Sequence, residues 1–325
     1  MTPTGDVKKC DMKYKKRKFT PRECLHIYQR TINGFNIFYD REDALVFYTI
    51  FSVLSKFYNV KVLALCLMVD HVHSLLSSEN LSSISDFIRH YTSLFVSEYN
   101  QSIGRHGPLF HKSFGSAPKR GSKSIRSTIV YIGNNPVEKN LCTSPEQYFW
   151  NFLEFFKDED YGHVPVRSLS RKLKKLFKEV RDLKERSAYL GYARLRRMFR
   201  KLDDTEREML VKHIVREYFP FDREALLSYY DGYDDMIHAM RSTSGSEYDI
   251  KEKYSPESGT VYGDMIGVVR RYLEQNHQTV QIRKVTMLPL DEKFRIGQML
   301  KRHTAATPRQ LEKFLNMEIR KQTEE

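Results

Sequence analysis

The chain has 325 residues, 40% hydrophobic and 13% aromatic, which is enough for two modest domains and too apolar for wholesale disorder. Its 54 Lys and Arg outnumber 41 Asp and Glu, and the net charge of +13 points to a polyanionic partner, nucleic acid ahead of membrane, or to simple solubility. No apolar run approaches the roughly 20 residues of a membrane span, so no membrane partner is expected. The N-terminal stretch is basic without the apolar segment of a signal peptide. Cys10, Cys24, Cys66 and Cys142 are far apart and form no CxxC pair. Together these features predict a cytoplasmic protein with reduced thiols and a flexible basic arm over residues 1–20.

In chain order, ECLHIYQRT (residues 23–31) is a first strand, followed by the turn signal INGF. Residues 40–58 have helical spacing, with Leu45, Tyr48, Phe51 and Leu54 near one face. VKVLALCLMV (residues 60–69) is a near-continuous apolar strand, as in a covered sheet. Asp70 then turns the chain into HVHSLLS (residues 71–77). A second amphipathic helix is expected over residues 81–104, stopped by Gly104, then a short strand within residues 107–119. A third helix over residues 122–135 is expected to end at Pro136. This order predicts an α+β fold, a ferredoxin-like antiparallel sheet with helices on one face.

Beyond Trp150 the texture changes. The acidic link KDEDYGHVP leads into residues 168–202, a long, basic, amphipathic helical stretch. A capping box from Thr205 to Glu208 opens another helix. After the polar spacer RSTSGSEYDIKEKYSPESG come two short helices, the second with Thr307 as N-cap and Pro308 at its first position. The expected organisation is thus a basic arm (1–20), a first, α+β domain (21–152) and a basic, mainly helical C-terminal domain (153–325), with a helix-turn-helix-like unit at 291–317. Its basic helices could bind duplex DNA or serve oligomerisation.

Within LMVDHVHSLL, His71 and His73 are two residues apart on a strand, so their side chains share a face while Val72 packs opposite. Two neutral imidazoles on one face can chelate a divalent metal, and ordinary strand-surface histidines can look the same. In STIVYIGNNPVEKN, Tyr131 and Asn135 stand at i and i+4 on one helix face. The Asn135 amide oxygen is a hard, neutral donor suited to a third ligand position. Alone, this segment also fits a half-buried aromatic before a stop signal.

Together and in this order, these stretches resemble the HUH single-tyrosine transposases, and most closely the REP-associated tyrosine transposases with their IS200-like domain. The resemblance covers roughly residues 20–152. It rests on YQRTINGFNIFYD (28–40), LMVDHVHSLL (67–76), YIGNNPV (131–137) and PEQYFW (145–150). Two features depart from the family pattern. Val69 and Asp70 stand where the family usually has Pro-Asn, and an arginine common after the fourth strand's aromatic run is replaced around residues 112–114. The resemblance implies that His71, His73 and Asn135 hold a divalent metal, Mg²⁺ or Mn²⁺, and that Tyr131 is the nucleophile. It further implies single-stranded or hairpin DNA as the partner, cut through a 5′-phosphotyrosine intermediate.

The chemistry explains the residue types. A tyrosine hydroxyl has a pKa near 10, so only about one in a thousand is ionised at neutral pH without help. A metal can polarise the scissile phosphate and offset charge on its oxygens. A covalent link retains the bond energy, so a new 3′-hydroxyl can rejoin strands without ATP. DNA contacts are expected from Lys112, Lys119, Arg120, Lys123 and Arg126, a run without acidic residues, with Phe110, His111 and Phe114 as stacking surfaces. The same run also fits a solvated basic loop. Two other functions remain open, a non-catalytic DNA-binding regulator and a metal-dependent phosphodiesterase that uses water. The protein is expected as a monomer or homodimer.

Overall fold

The computed structural model describes residues 21, 23–157, 169–243 and 259–317. The basic arm, most of the acidic link and most of the polar spacer lie outside the described residues.

The first half forms β1 (Cys24–Arg30), α1 (Arg41–Phe57), β2 (Lys61–Leu67), β3 (His71–Ser77), α2 (Leu81–Ile103), β4 (Gly115–Lys119) and α3 (Gly121–Glu138). The four strands make one antiparallel sheet in the order β2-β3-β1-β4, which is the ferredoxin-like arrangement expected. Asp40 opens α1 through a capping box with Asp43, and Gly104 closes α2 in the left-handed region.

The antiparallel register sorts the side chains. Tyr28 pairs with His73 and Arg30 with His71, so His26, Tyr28 and Arg30 share a sheet face with both histidines. Gln29 and Val72 take the other face, where Gln29 bonds Thr92 and Tyr91 of α2. Helices α1 and α2 cover that face as expected. The third helix differs: α3 lies on the histidine face, where Tyr131 meets His73 ring to ring. Helices therefore cover both faces, because α3 buries Ile125, Ile129, Tyr131 and Ile132 and has its own apolar stripe to cover.

Helix α3 also runs through Pro136 to Glu138 instead of stopping before it. Proline removes only one amide donor there, and the last turn closes without it through Lys139 N–H to Asn135 O at 3.2 Å. The fourth strand is shorter than its sequence run, and Phe110 meets Thr31 only in an isolated bridge.

The second half is helical: α4 (Glu154–Lys157), α5 (Arg171–Glu185), α6 (Tyr192–Phe199), α7 (Asp204–Glu217), α8 (Arg223–Leu227), α9 (Tyr233–Ser242), α10 (Gly259–His277), α11 (Leu290–His303) and α12 (Pro308–Leu315). The long helix expected over residues 168–202 is two. Ser187 takes a left-handed φ of 53°, and the break lets Leu190 N–H reach Thr49 and Tyr192 N–H reach Glu98. Asp203, two residues before Thr205, caps α7.

One apolar core runs from the sheet through Met240, continuous across residue 152. A second joins Tyr39 to residues of α10, α11 and α12. Helix α12 starts at Thr307 and Pro308 as expected, but it buries Gln310, Leu311, Lys313, Phe314 and Leu315. That leaves little of it to enter a DNA groove. Among the described residues no helix is long and apolar enough to cross a membrane.

Candidate active site on the histidine face

His71 and His73 stand side by side on β3, their rings 4.9 Å apart and nearly perpendicular. Helix α3 brings Asn135 across from them. Asn135 Oδ1 lies 3.3 Å from His71 Nε2, and its Nδ2 lies 3.5 Å from His73 Nε2. One turn earlier, the Tyr131 ring stands edge-on to His73 at 5.4 Å and to His26 at 5.6 Å. The four residues singled out in the sequence therefore meet at one place. Helix α9 holds α3 from behind: a side chain at Gly133 would lie 2.6 Å from Met240, and Asn134 Nδ2–H donates to Met240 O at 2.5 Å.

The ring nitrogens are oriented by neighbours. Asp70 Oδ1 lies 2.5 Å from His71 Nδ1 and its Oδ2 lies 2.8 Å from Lys313 Nζ. Burial resists ionisation of Asp70, but His71 and then Lys313 outweigh it and hold the carboxyl far below the usual carboxylate range. A carboxylate only accepts, so His71 donates from Nδ1 and, in the neutral ring, Nε2 bears the lone pair. His73 Nδ1 is 3.0 Å from His26 Nε2. Burial, then His71 and His26, push the His73 ring well below the ordinary histidine range, which keeps it neutral as a ligand must be.

The donor set fits a divalent cation. In this tautomer the His71 lone pair and the Asn135 oxygen face each other at 3.3 Å, a contact that a cation between them would relieve. Two ligands about 2.1 Å from one ion at near right angles lie about 3 Å apart. Among the described residues no group of three or more His, Cys, Asp or Glu is placed to hold a metal, and a cation between the two histidines would take the Asn135 amide as its third donor.

The site is closed. Tyr131 is 2% exposed, and His73 and Asn135 are 0% exposed. A cleft of about 870 Å³ between α2, α5 and α6 lies elsewhere, bordered by Glu98, Glu179, Tyr189 and Arg197.

The expected DNA contacts divide. His111, Lys112 and Lys123 are exposed, and Lys119 is half-buried on the edge strand β4. Arg120 pairs with Glu23 at 2.9 Å, and Arg126 pairs with Asp235 at 3.7 Å and lies over the Tyr230 ring. Phe110 is corrected: it is 4% exposed and packs near Phe95, because the chain beside it pairs with β1's end and draws the ring into the core. Phe114 is half-buried against the core.

Three further groups adjoin the site that the sequence does not single out for it. His26 sits two before Tyr28 on β1, and the strand period of two was the signal that could have exposed it. In the sequence Asp70 reads as a turn residue and as a departure from the family's Pro-Asn. Lys313 is 243 positions from its partner, and no local pattern marks it.

Residues 23–135 match the family model described as "Transposase IS200 like". A search of curated proteins finds no match. Among solved structures, the chain is similar to a REP-associated tyrosine transposase bound to a REP hairpin, at 15% identity and a TM-score of 0.37, covering 49% of this chain and 92% of that one. A likeness of that size bears no weight on function. Residues 23–135 are thus similar to the IS200-like transposases.

Proposed function

We propose that this protein cuts and transfers one strand of single-stranded or hairpin DNA, with Tyr131 as nucleophile and His71, His73 and Asn135 as ligands of Mg²⁺ or Mn²⁺. The observation that carries this reading is the meeting of both histidines and the Asn135 amide beside the Tyr131 ring. Bound there, the metal supplies Lewis-acid polarisation of the scissile phosphate. Tyr131 then forms an Oη–P bond as the P–O3′ bond breaks. The phenol gives up its proton and the leaving 3′-oxygen is protonated. The product is a 5′-phosphotyrosine with a 3′-hydroxyl, and attack by another 3′-hydroxyl reverses the step. The exposed Lys112 and Lys123, with Lys119, Arg120 and Arg126, would follow the phosphate backbone, and His111 lies within reach of unpaired bases.

The burial of Tyr131 favours a second reading, a DNA-binding regulator that retains the fold, since a phosphate reaches the hydroxyl only if the site opens. Incubation with labelled hairpin oligonucleotides and Mn²⁺, followed by a denaturing gel, separates the readings. Strand transfer yields a protein–DNA adduct that Tyr131→Phe abolishes while DNA binding stays nearly intact. Cleavage without adduct indicates a water-using phosphodiesterase, and binding without cleavage indicates the regulator. Adduct formation by Tyr131→Phe would sink the choice of nucleophile.

A further inference from the structure

We infer that Lys313 and Asp70 are positioning residues that hold His71 in its metal-binding orientation, so that the C-terminal helix α12 completes the site built by the sheet. This rests on the proposed metal-ligand role of His71. The carboxylate of Asp70 is shared, with Oδ1 on His71 Nδ1 at 2.5 Å and Oδ2 on Lys313 Nζ at 2.8 Å. All three side chains are about nine-tenths buried or more. A lysine buried to that degree is not there for solubility, and a carboxylate so buried is costly unless paired.

Both ends of the relay are anchored by backbone. Asn36 N–H donates to Lys313 O at 3.0 Å, and the Tyr39 hydroxyl donates to Phe314 O at 2.7 Å, which seats α12 on the loop between β1 and α1. The same loop reaches the other end, where Thr31 N–H donates to Asp70 O at 3.1 Å. Lys313 passes beside Gly34, where a Cβ would lie 3.7 Å from its Cε. The carboxylate therefore cannot rotate without breaking one of its two contacts. An imidazole turns about a single bond, and a fixed acceptor at Nδ1 decides that Nε2 faces Asn135. Partners of this kind orient a ligand and typically matter ten- to a hundredfold in metal affinity.

The test is Mn²⁺ binding to the DNA-free full-length protein, read from the EPR signal of unbound Mn²⁺. Lys313→Met and Asp70→Ala should each weaken binding by about 10- to 100-fold. The double variant should bind no worse than Asp70→Ala, because Lys313 acts through Asp70. Thr307→Ala, which uncaps α12 without touching Asp70, should keep the parent affinity. Parent-like binding by Lys313→Met, losses that multiply in the double variant, or an equal loss in Thr307→Ala would overturn the relay. Parent-like binding by His71→Ala would instead refute the metal reading. The imidazole ¹⁵N spectrum of the parent then decides the relay by itself, as it does if Lys313→Met fails to fold. His71 should be protonated at Nδ1 with Nε2 bare, and a ring protonated at Nε2 alone overturns the proposal.

Discussion

Replacing Arg283 by methionine probes the ion pair that joins the second core to the first. Arg283 is 1% exposed, its Nη1 is 3.0 Å from Asp43 Oδ1, and its guanidinium lies 3.9 Å over the Tyr192 ring. Methionine keeps most of the stem and removes the charge. Breaking a buried pair from one side costs about 3–5 kcal/mol. The low end applies, because Asp43 keeps three donors: Tyr39 N–H at 2.8 Å, Asp40 N–H at 3.1 Å and the Tyr192 hydroxyl at 2.9 Å.

The loss should depend on pH. Burial, and then Asp40, already push the Asp43 carboxyl up to about 7 against the pull of Arg283, and without Arg283 it rises further. A carboxyl with a folded pKa above its unfolded value of about 3.9 takes up a proton on folding. The resulting stabilisation is whole below the unfolded pKa and is lost as pH rises through the folded one. The deficit of Arg283→Met should therefore be larger at pH 8 than at pH 5. Urea unfolding followed by circular dichroism checks this. With a slope of about 3 kcal/mol per molar, the midpoint falls by about 1 M at pH 8 and by less at pH 5. An equal deficit at both pH values, or an Asp43→Asn/Arg283→Met double variant no more stable than the single one, would refute the reasoning.

Other outcomes follow from the same geometry. His71→Ala or His73→Ala should remove metal-dependent cleavage, while Val72→Ala, on the α1/α2 face, should cost about 2 kcal/mol of stability and keep it; unchanged metal dependence in both histidine variants rejects the site. Replacing Lys119, Arg120 and Lys123 together by alanine should flatten the salt dependence of single-strand binding by about two units, at roughly 0.7 per phosphate. An unchanged slope and affinity would move the DNA path to the basic face of α5. A Cβ at Gly115 would lie 1.8 Å from the Tyr28 ring, so Gly115→Ala should destabilise by about 1–3 kcal/mol. Tyr28→Ala should restore most of that loss, and a melting curve for Gly115→Ala equal to the parent's shows the ring yields at no cost.

The order of strands and helices in the first half was legible because each element announces itself locally. A near-continuous apolar run marks β2, a period near 3.6 marks α1 and α2, and Asp40, Gly104 and Thr307 mark their own helix ends. His71 with His73, and Tyr131 with Asn135, were legible as pairs for the same reason, since strand and helix periods put each pair on one face. Which face α3 covers was not legible, because an amphipathic stripe fixes that a helix packs and not upon what. Phe110 looked like a stacking residue because a basic loop surrounds it, and only its seat near Phe95 shows that the ring belongs to the core. The break at Ser187 escaped for a similar reason: basic amphipathic sequence continues across it, and the bonds from Thr49 and Glu98 that hold the turn come from distant helices. His26 and Lys313 reach the site through strand pairing and helix docking, 47 and 243 positions from their partners. Contacts between residues so far apart in the chain have no period to read, and they exist only once the chain has folded.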